Sequence, residues 1–334
     1  MNLIFNIFRR LSFNRIDQKI VAALEKSGNV NSSKISLDVM GPISDVDSQE
    51  GVPQSNIGSN VTPPENRYLN ITDGAVNRKL AYTISGNLQA TKVLLCLPGL
   101  LETRGSFLNL HTYFLNFSDC KVISVDLPGR GDSESIAESD NYKMSLYLSD
   151  IKYLMKVILD NSPATSTFTV LGTSMGGVLA MYLTQTFGKK ISEIILNDIA
   201  LTVNWTALYS LYKSMKNEIG FKEIKDLAQD LRVDAKAITD VQLPGHFDLS
   251  YKADVWGMNF HEAMDDYRGR VALIYGSDSK ICTRQRVSSA KVSLPALITF
   301  EVKGAGHPVP FTHEVCEFIQ LQMKLKQVVA SNFL

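Results

Sequence analysis

Apolar and polar positions change rhythm several times along this chain. In residues 1–26, Ile16, Ile20, Val21 and Leu24 recur at helical spacing. From Ser27 to about Asn66 the texture turns to Ser, Asn, Gly, Pro and Asp with scattered aliphatics. Such a stretch cannot bury enough apolar surface to offset the entropy of ordering it, so it predicts a linker or loosely attached arm. Order is expected from Arg67 onward. Tyr68-Leu69-Asn70-Ile71 alternates like a strand, Asp73-Gly74 is a hairpin signal, and 79–84 supplies the partner strand. Short apolar runs follow at 92–97, 121–126, 167–171, 191–197, 271–275 and 297–302. Helical patterns at 143–160, 175–187, 283–293 and 308–327 fall between most of them.

Strands alternating with helices predict an α/β fold, with a mostly parallel sheet covered on both faces and the opening hairpin as an antiparallel edge. One connection breaks the rhythm. Between Asp198 and Gly269 lie about 70 residues, far above the usual few. This stretch holds Trp205, Tyr209, Leu211, Tyr212, Met215, Leu227, Leu231, Trp256, Met258 and Phe260, and reads as a mostly helical cap over the carboxyl edge of the sheet. The expected organisation is therefore an arm over 1–66, a core formed by 67–198 and 270–334, and a cap over 199–269.

Charge narrows the partners. The 34 basic and 34 acidic residues cancel, which argues against a nucleic-acid binder, since such affinity rests on neutralising many phosphates. Cys96, Cys120, Cys282 and Cys316 are far apart and match no zinc spacing, and Cys96 and Cys120 sit in strand-like runs as buried thiols would. A reducing, cytoplasmic setting follows. No apolar stretch reaches the roughly 20 residues that span a bilayer. Met1 to Phe8 is apolar, but Arg9, Arg10 and Arg15 follow it rather than precede it, unlike a secretory signal. Residues 1–26 are left with two readings: docking on the protein or a partner, or weak association with an anionic membrane surface.

The strongest chemical signal is Gly172-Thr173-Ser174-Met175-Gly176-Gly177, between a strand-like run and a helical one. A nucleophile elbow needs this context: the serine occupies a strained turn, and small neighbours give it room. Ser174 would stand at a helix N-terminus, where the dipole favours a developing anion. A dinucleotide loop is excluded, because the glycine spacing is wrong and no acidic ribose partner follows. Of the five histidines, His307 alone lies in a glycine-rich loop after the last strand, whereas His111 and His313 read as helix residues and His246 and His261 fall in the cap.

From about residue 67 to 328 the chain resembles the α/β-hydrolase superfamily. The resemblance rests on four segments in order: Leu97-Pro98-Gly99-Leu100, the loop from Asp126 to Ser133, the Ser174 turn, and Gly304-Ala305-Gly306-His307. It implies Ser174 as nucleophile, His307 as general base, and backbone N–H groups of Leu100 and Met175 as the oxyanion hole. Pro98 stands where the superfamily usually has histidine. The acid departs from the pattern, since the usual positions after Gly276 hold Ser279 or Lys280. Asp278 comes slightly early, and Asp198, after the preceding strand, is the other candidate. Asp126 and Asp132 are better explained as turn or cap residues. The resemblance implies cleavage of a small, apolar ester, thioester, lactone or amide without a cofactor. Its alternatives are cofactor-free haloperoxidase-like or carbon–carbon bond hydrolysis, and a non-catalytic binding protein. Dehalogenases and epoxide hydrolases are disfavoured, because they use an aspartate nucleophile where this chain has Ser174.

Overall fold

A computed structural model describes residues 61–325, except 74–75, 209–225, 227, 242, 244 and 254–256. The helical reading of 1–26 and most of the arm lie outside these residues, as do Tyr209, Leu211, Tyr212, Met215, Leu227 and Trp256 of the cap.

An eight-stranded sheet forms the centre. Its strands are β1 (Thr62–Asp73), β2 (Val76–Gly86), β3 (Lys92–Leu97), β4 (Cys120–Val125), β5 (Thr167–Thr173), β6 (Ile191–Asn197), β10 (Arg270–Gly276) and β11 (Ile298–Val302), in the order β1-β2-β4-β3-β5-β6-β10-β11. β1 and β2 form an antiparallel hairpin, and β2 pairs antiparallel with β4. The other pairings are parallel. β1 starts at Thr62, before the expected Arg67, because Pro63 and Pro64 are tolerated on an edge strand.

The continuous apolar runs are explained by two buried faces. Along β3, Val93, Leu95 and Leu97 enter one core while Leu94 and Cys96 enter the other. The first core is covered by α2 (Met144–Asp160), α3 (Met175–Phe187) and α5 (Arg284–Ser293). α2 buries Met144, Tyr147, Leu148, Ile151, Leu154, Met155 and Ile158, a one-sided stripe of period three to four. α3 is buried from Gly176 to Thr184, as an apolar helix leaving the sheet centre must be. The second core packs against α1 (Leu108–Phe114) and α6 (His313–Met323) through Phe107, Leu110, Phe114, Val315, Phe318 and Ile319. α1 carries His111, read as a helix residue, although its seven residues are too short for a clear period. α6 begins at His313 rather than 308, since Pro308 and Pro310 keep the chain from starting a helix. All four cysteines are buried free thiols.

The described residues of the cap hold short strands beside helix, with 205–208 and 228–231 helical. α4 (Ala235–Asp240) is helical and His261–Met264 forms a 3₁₀ turn. Yet β7 (Thr202–Asn204), β9 (Gly257–Asn259) and β8 (Lys252–Ala253) form a small antiparallel sheet. Strands this short show no alternation in sequence. Met258 and Phe260 are buried in the first core, so these two side chains pack the cap rather than line a pocket. The cap is seated on the loop after β4. Gly131 N–H donates to Arg232 O (2.7 Å), Asp234 N–H to Gly129 O (2.7 Å), and Tyr142 Oη–H to Asp234 (2.8 Å). Asp126 and Asp132 belong to this seam. Arg104 bonds both carboxylates, and Asp132 also meets Arg232 of the cap. The Arg104 and Arg232 guanidiniums, Arg104 foremost, hold the Asp132 carboxyl below its usual range. Among the described residues, no helix is long and apolar enough to cross a membrane.

Two buried histidines make the fold sensitive to acid. His111 lies between the Ser85 and Ser124 hydroxyls (2.7 and 2.8 Å), and His246 Nδ1 bonds Tyr142 O (2.9 Å). Burial lowers both from 6.5 to about 4. Between those values the unfolded chain binds protons that the folded one refuses. The stability contributed by the neutral rings is therefore complete above about pH 6.5 and is lost as pH falls toward 4. We expect denaturant midpoints to fall across this window. His111→Gln should flatten the slope by up to about 1.4 kcal/mol per pH unit. An unaltered slope would contradict this.

Candidate active site

The order of the sheet places the site. β3 lies between β4 and β5, so the chain leaves β3 toward one side and resumes at β5 on the other. A crevice opens at the carboxyl ends of strands around such a switch point. Leu97, Thr173, Asn197 and Gly276 end β3, β5, β6 and β10 there.

Ser174 follows β5 directly with φ 48° and ψ −114°, a conformation costly for a residue with a side chain. Its N–H donates to Asn197 O (2.9 Å), and its carbonyl accepts from Gly177 N–H (2.9 Å), tying the bend to β6 and α3. Close packing leaves no room beside it. A Cβ on Gly172 would stand 2.3 Å from Gly176 O, and one on Gly176 would stand 2.2 Å from Leu97 O.

His307 Nε2 lies 3.0 Å from Ser174 Oγ, and His307 Nδ1 lies 2.6 Å from Asp198 Oδ2. The carboxylate can only accept from Nδ1–H, which leaves Nε2 of the neutral ring free to accept the serine proton. The imidazole is largely enclosed, with 15% of its side chain exposed, while Asp198 is fully buried. The two candidate acids thus separate. Asp198, at φ 56°, holds the imidazole; its Oδ1 accepts from Gly276 N–H (3.0 Å) and its Oδ2 from Ser279 Oγ–H (2.6 Å). Asp278 is exposed, and its carboxylate accepts from its neighbour Ser277 (2.9 Å). Its contribution to the loop is its backbone N–H, donated to Ala305 O (3.0 Å). Asp278 is therefore corrected as a candidate for the acid: a turn residue aimed at solvent cannot orient the ring.

Ser279 and Gly276 were missed as functional residues. Ser279 occupies a position where an acid was expected and instead fastens the acid from the neighbouring strand. Its Oγ also accepts from Ile281 N–H (3.2 Å) and Cys282 N–H (3.0 Å), so it is held by its own loop. A Cβ on Gly276 would stand 2.2 Å from Ala305 O, so glycine lets the histidine loop close on β10. Neither signal can be read without knowing which strand carries the acid.

Leu100 and Met175 are partly buried beside the nucleophile turn, and no acceptor among the described residues takes their N–H groups. Arg130 Nε donates to Leu100 O (3.0 Å), fixing the early loop from below. The arrangement is a hydroxyl, an imidazole and a carboxylate in series, next to two free backbone donors. Chemically it can take the serine proton during attack and receive an anion.

The packing has opposite consequences at two neighbouring positions. Gly172→Ala forces a Cβ into backbone and should destabilise the protein by about 2 kcal/mol or more. Ser174→Gly relieves the positive φ and should stabilise it by about 1 kcal/mol. Thermal melts of both variants check the pair; equal midpoints would contradict the strain at Ser174.

Comparison with known proteins agrees with this architecture. Residues 92–213 match the family model described as alpha/beta hydrolase fold. A stretch of 121 residues is 31% identical to a 3-hydroxybutyrate-oligomer hydrolase of Cupriavidus necator, covering 36% of this chain and 39% of that protein. A stretch of 116 residues is 30% identical to the human serine hydrolase-like protein, covering 35% of this chain and 53% of that one. The chain thus spans about half or less of the length of these curated relatives. Among solved structures, an alpha/beta hydrolase from Novosphingobium aromaticivorans superposes with a TM-score of 0.60 at 21% identity, covering 79% of this chain and 99% of that one. With the sheet order, the nucleophile turn and the matched segment in agreement, the chain has the α/β-hydrolase fold.

Proposed function

We propose that the protein is a serine hydrolase that cleaves a carboxylic ester, or a close relative such as a thioester, through an acyl-enzyme. The observation that carries this reading is the unbroken series Ser174 Oγ, His307 Nε2, His307 Nδ1 and Asp198 Oδ2, at 3.0 and 2.6 Å. Serine is a weak nucleophile unless a neighbour removes its proton. In the proposed reaction Ser174 Oγ bonds to the carbonyl carbon as its proton passes to His307 Nε2. The negative charge on the carbonyl oxygen is received by the N–H groups of Leu100 and Met175, each worth roughly 3 kcal/mol in such a role. Collapse expels the alcohol, which takes the proton from Nε2. Water then gives a proton to Nε2, attacks the acyl carbon and releases the acid, restoring Ser174. Asp198 holds the ring tautomer and stabilises the imidazolium at both stages.

Three observations support the reading. The relative from Cupriavidus necator is named for hydrolysing oligomers of a hydroxy acid. Leu100 and Met175, which flank the nucleophile in the proposed reaction, are partly buried apolar side chains packed against the core, which favours an apolar acyl group. Against a non-catalytic protein stands a carboxylate held on the imidazole, since Asp198 meets both His307 and Ser279. Haloperoxidase-like and carbon–carbon bond chemistries would use the same relay and differ in their products.

An alkyl fluorophosphonate tests the nucleophile. Ser174 Oγ should bond to phosphorus with loss of fluoride, and Ser174→Ala should abolish labelling; labelling that survives in Ser174→Ala would sink the proposal. The acid is tested on 4-nitrophenyl esters of graded chain length. Asp198→Asn should lower kcat by about 10³- to 10⁴-fold while Asp278→Asn stays near the parent. Comparable rates for both variants would count against Asp198.

A further inference from the structure

The site contains a second carboxylate that the relay does not use. Glu102 closes the turn after β3: its N–H donates to Gly99 O (3.4 Å) and its Oε2 accepts from Gly99 N–H (2.6 Å). The space beside Gly99 locates that carboxylate. A Cβ placed there would lie 2.9 Å from Glu102 Oε2 and 3.5 Å from Thr173 O, the carbonyl just before Ser174. Glu102 Oε2 and the carbonyl before Ser174 thus flank Gly99 from two sides, so Glu102 is packed beside the nucleophile turn.

Glu102 makes no ion pair among the described residues, and the basic groups close in sequence or space are committed elsewhere. Arg104 is bound to Asp126, Asp132 and Thr83. Arg130 donates to Leu100 O and Pro128 O and lies over the Tyr147 ring. Burial raises the Glu102 carboxyl above its usual range, and the Gly99 N–H, His307 and the Ser106 hydroxyl partly oppose that shift. His307 is thus close enough for its charge to act on the Glu102 carboxyl.

We propose that Glu102 sets the charge preference of the site, admitting neutral and cationic acyl groups and disfavouring those with a carboxylate near the scissile carbonyl. The proposal rests on Ser174 being the nucleophile. With a neutral ester, the oxyanion forms together with an imidazolium, and Glu102 repels one while attracting the other. An anionic acyl group brings an additional negative charge with no cation to offset it, so discrimination comes from repulsion built into the site.

Two fluorophosphonates of equal length test this, one ending in methyl and one in carboxylate, by their rates of Ser174 labelling. The parent protein should react about tenfold faster with the neutral probe. Glu102→Gln, whose amide oxygen can still accept from Gly99 N–H, should bring the ratio close to one. Glu102→Asp, which keeps the charge, should retain most of the preference. A parent protein without preference overturns the proposal whatever the variants do, and so does a ratio unchanged in Glu102→Gln. Absence of labelling by the neutral probe instead defeats the reading of Ser174, and this proposal with it.

Discussion

A backbone bend at Ser174 that only crowded, side-chain-free neighbours permit is the constraint on which the site depends. The turn sits at φ 48° because β5 runs straight into α3, with Gly172 against Gly176 and Gly176 against the carbonyl of Leu97. Three consequences follow from that single bend. The hydroxyl is lifted off the sheet toward His307, the first N–H of α3 is left without an internal acceptor, and the end of β3 is drawn against the helix. Local strain of this sort persists only where the surroundings over-determine it. Here the apolar packing of β3, β5, β6 and α3 does so.

The second organising feature is the way the carboxylate reaches the histidine. Asp198 leaves β6 with its N–H on Ile274 O, and its two oxygens are taken by Gly276, Ser279 and His307. A buried carboxylate is tolerated because every direction of charge is met by a donor. The loop after β10 therefore keeps its place in the site while giving up the acid itself. Polar groups of a different kind seat the cap. Arg104, Asp126, Asp132 and Arg232 connect the segment after β3, the loop after β4 and the cap. The segment after β3, the cap and the core are thereby parts of one bonded assembly.

Much of this was legible in the residues. Strands buried on both faces leave uninterrupted apolar runs, which is why 92–97 and 191–197 were read to the residue. α3 was equally plain, since the glycines mark its start. Ser174 and His307 could be named because a tight turn and a glycine-rich loop are local features. The acid could not be chosen, because Asp198 and Asp278 end different strands and only the register of β6 on β10 decides which faces the ring. Ser279 and Glu102 stayed silent for the same reason: their meaning comes from partners brought near by folding. The short strands of the cap could not be read because β7, β8 and β9 are two or three residues long and carry no period.

One bend presents Ser174 to His307 and to two waiting backbone donors at once. A crystal structure of the Ser174 phosphonyl adduct tests it most directly. The phosphoryl oxygen should lie about 2.7–3.1 Å from both the Leu100 and Met175 nitrogens, with His307 still on Asp198. An adduct whose oxygen points to solvent, or whose His307 has turned to Asp278, would contradict it.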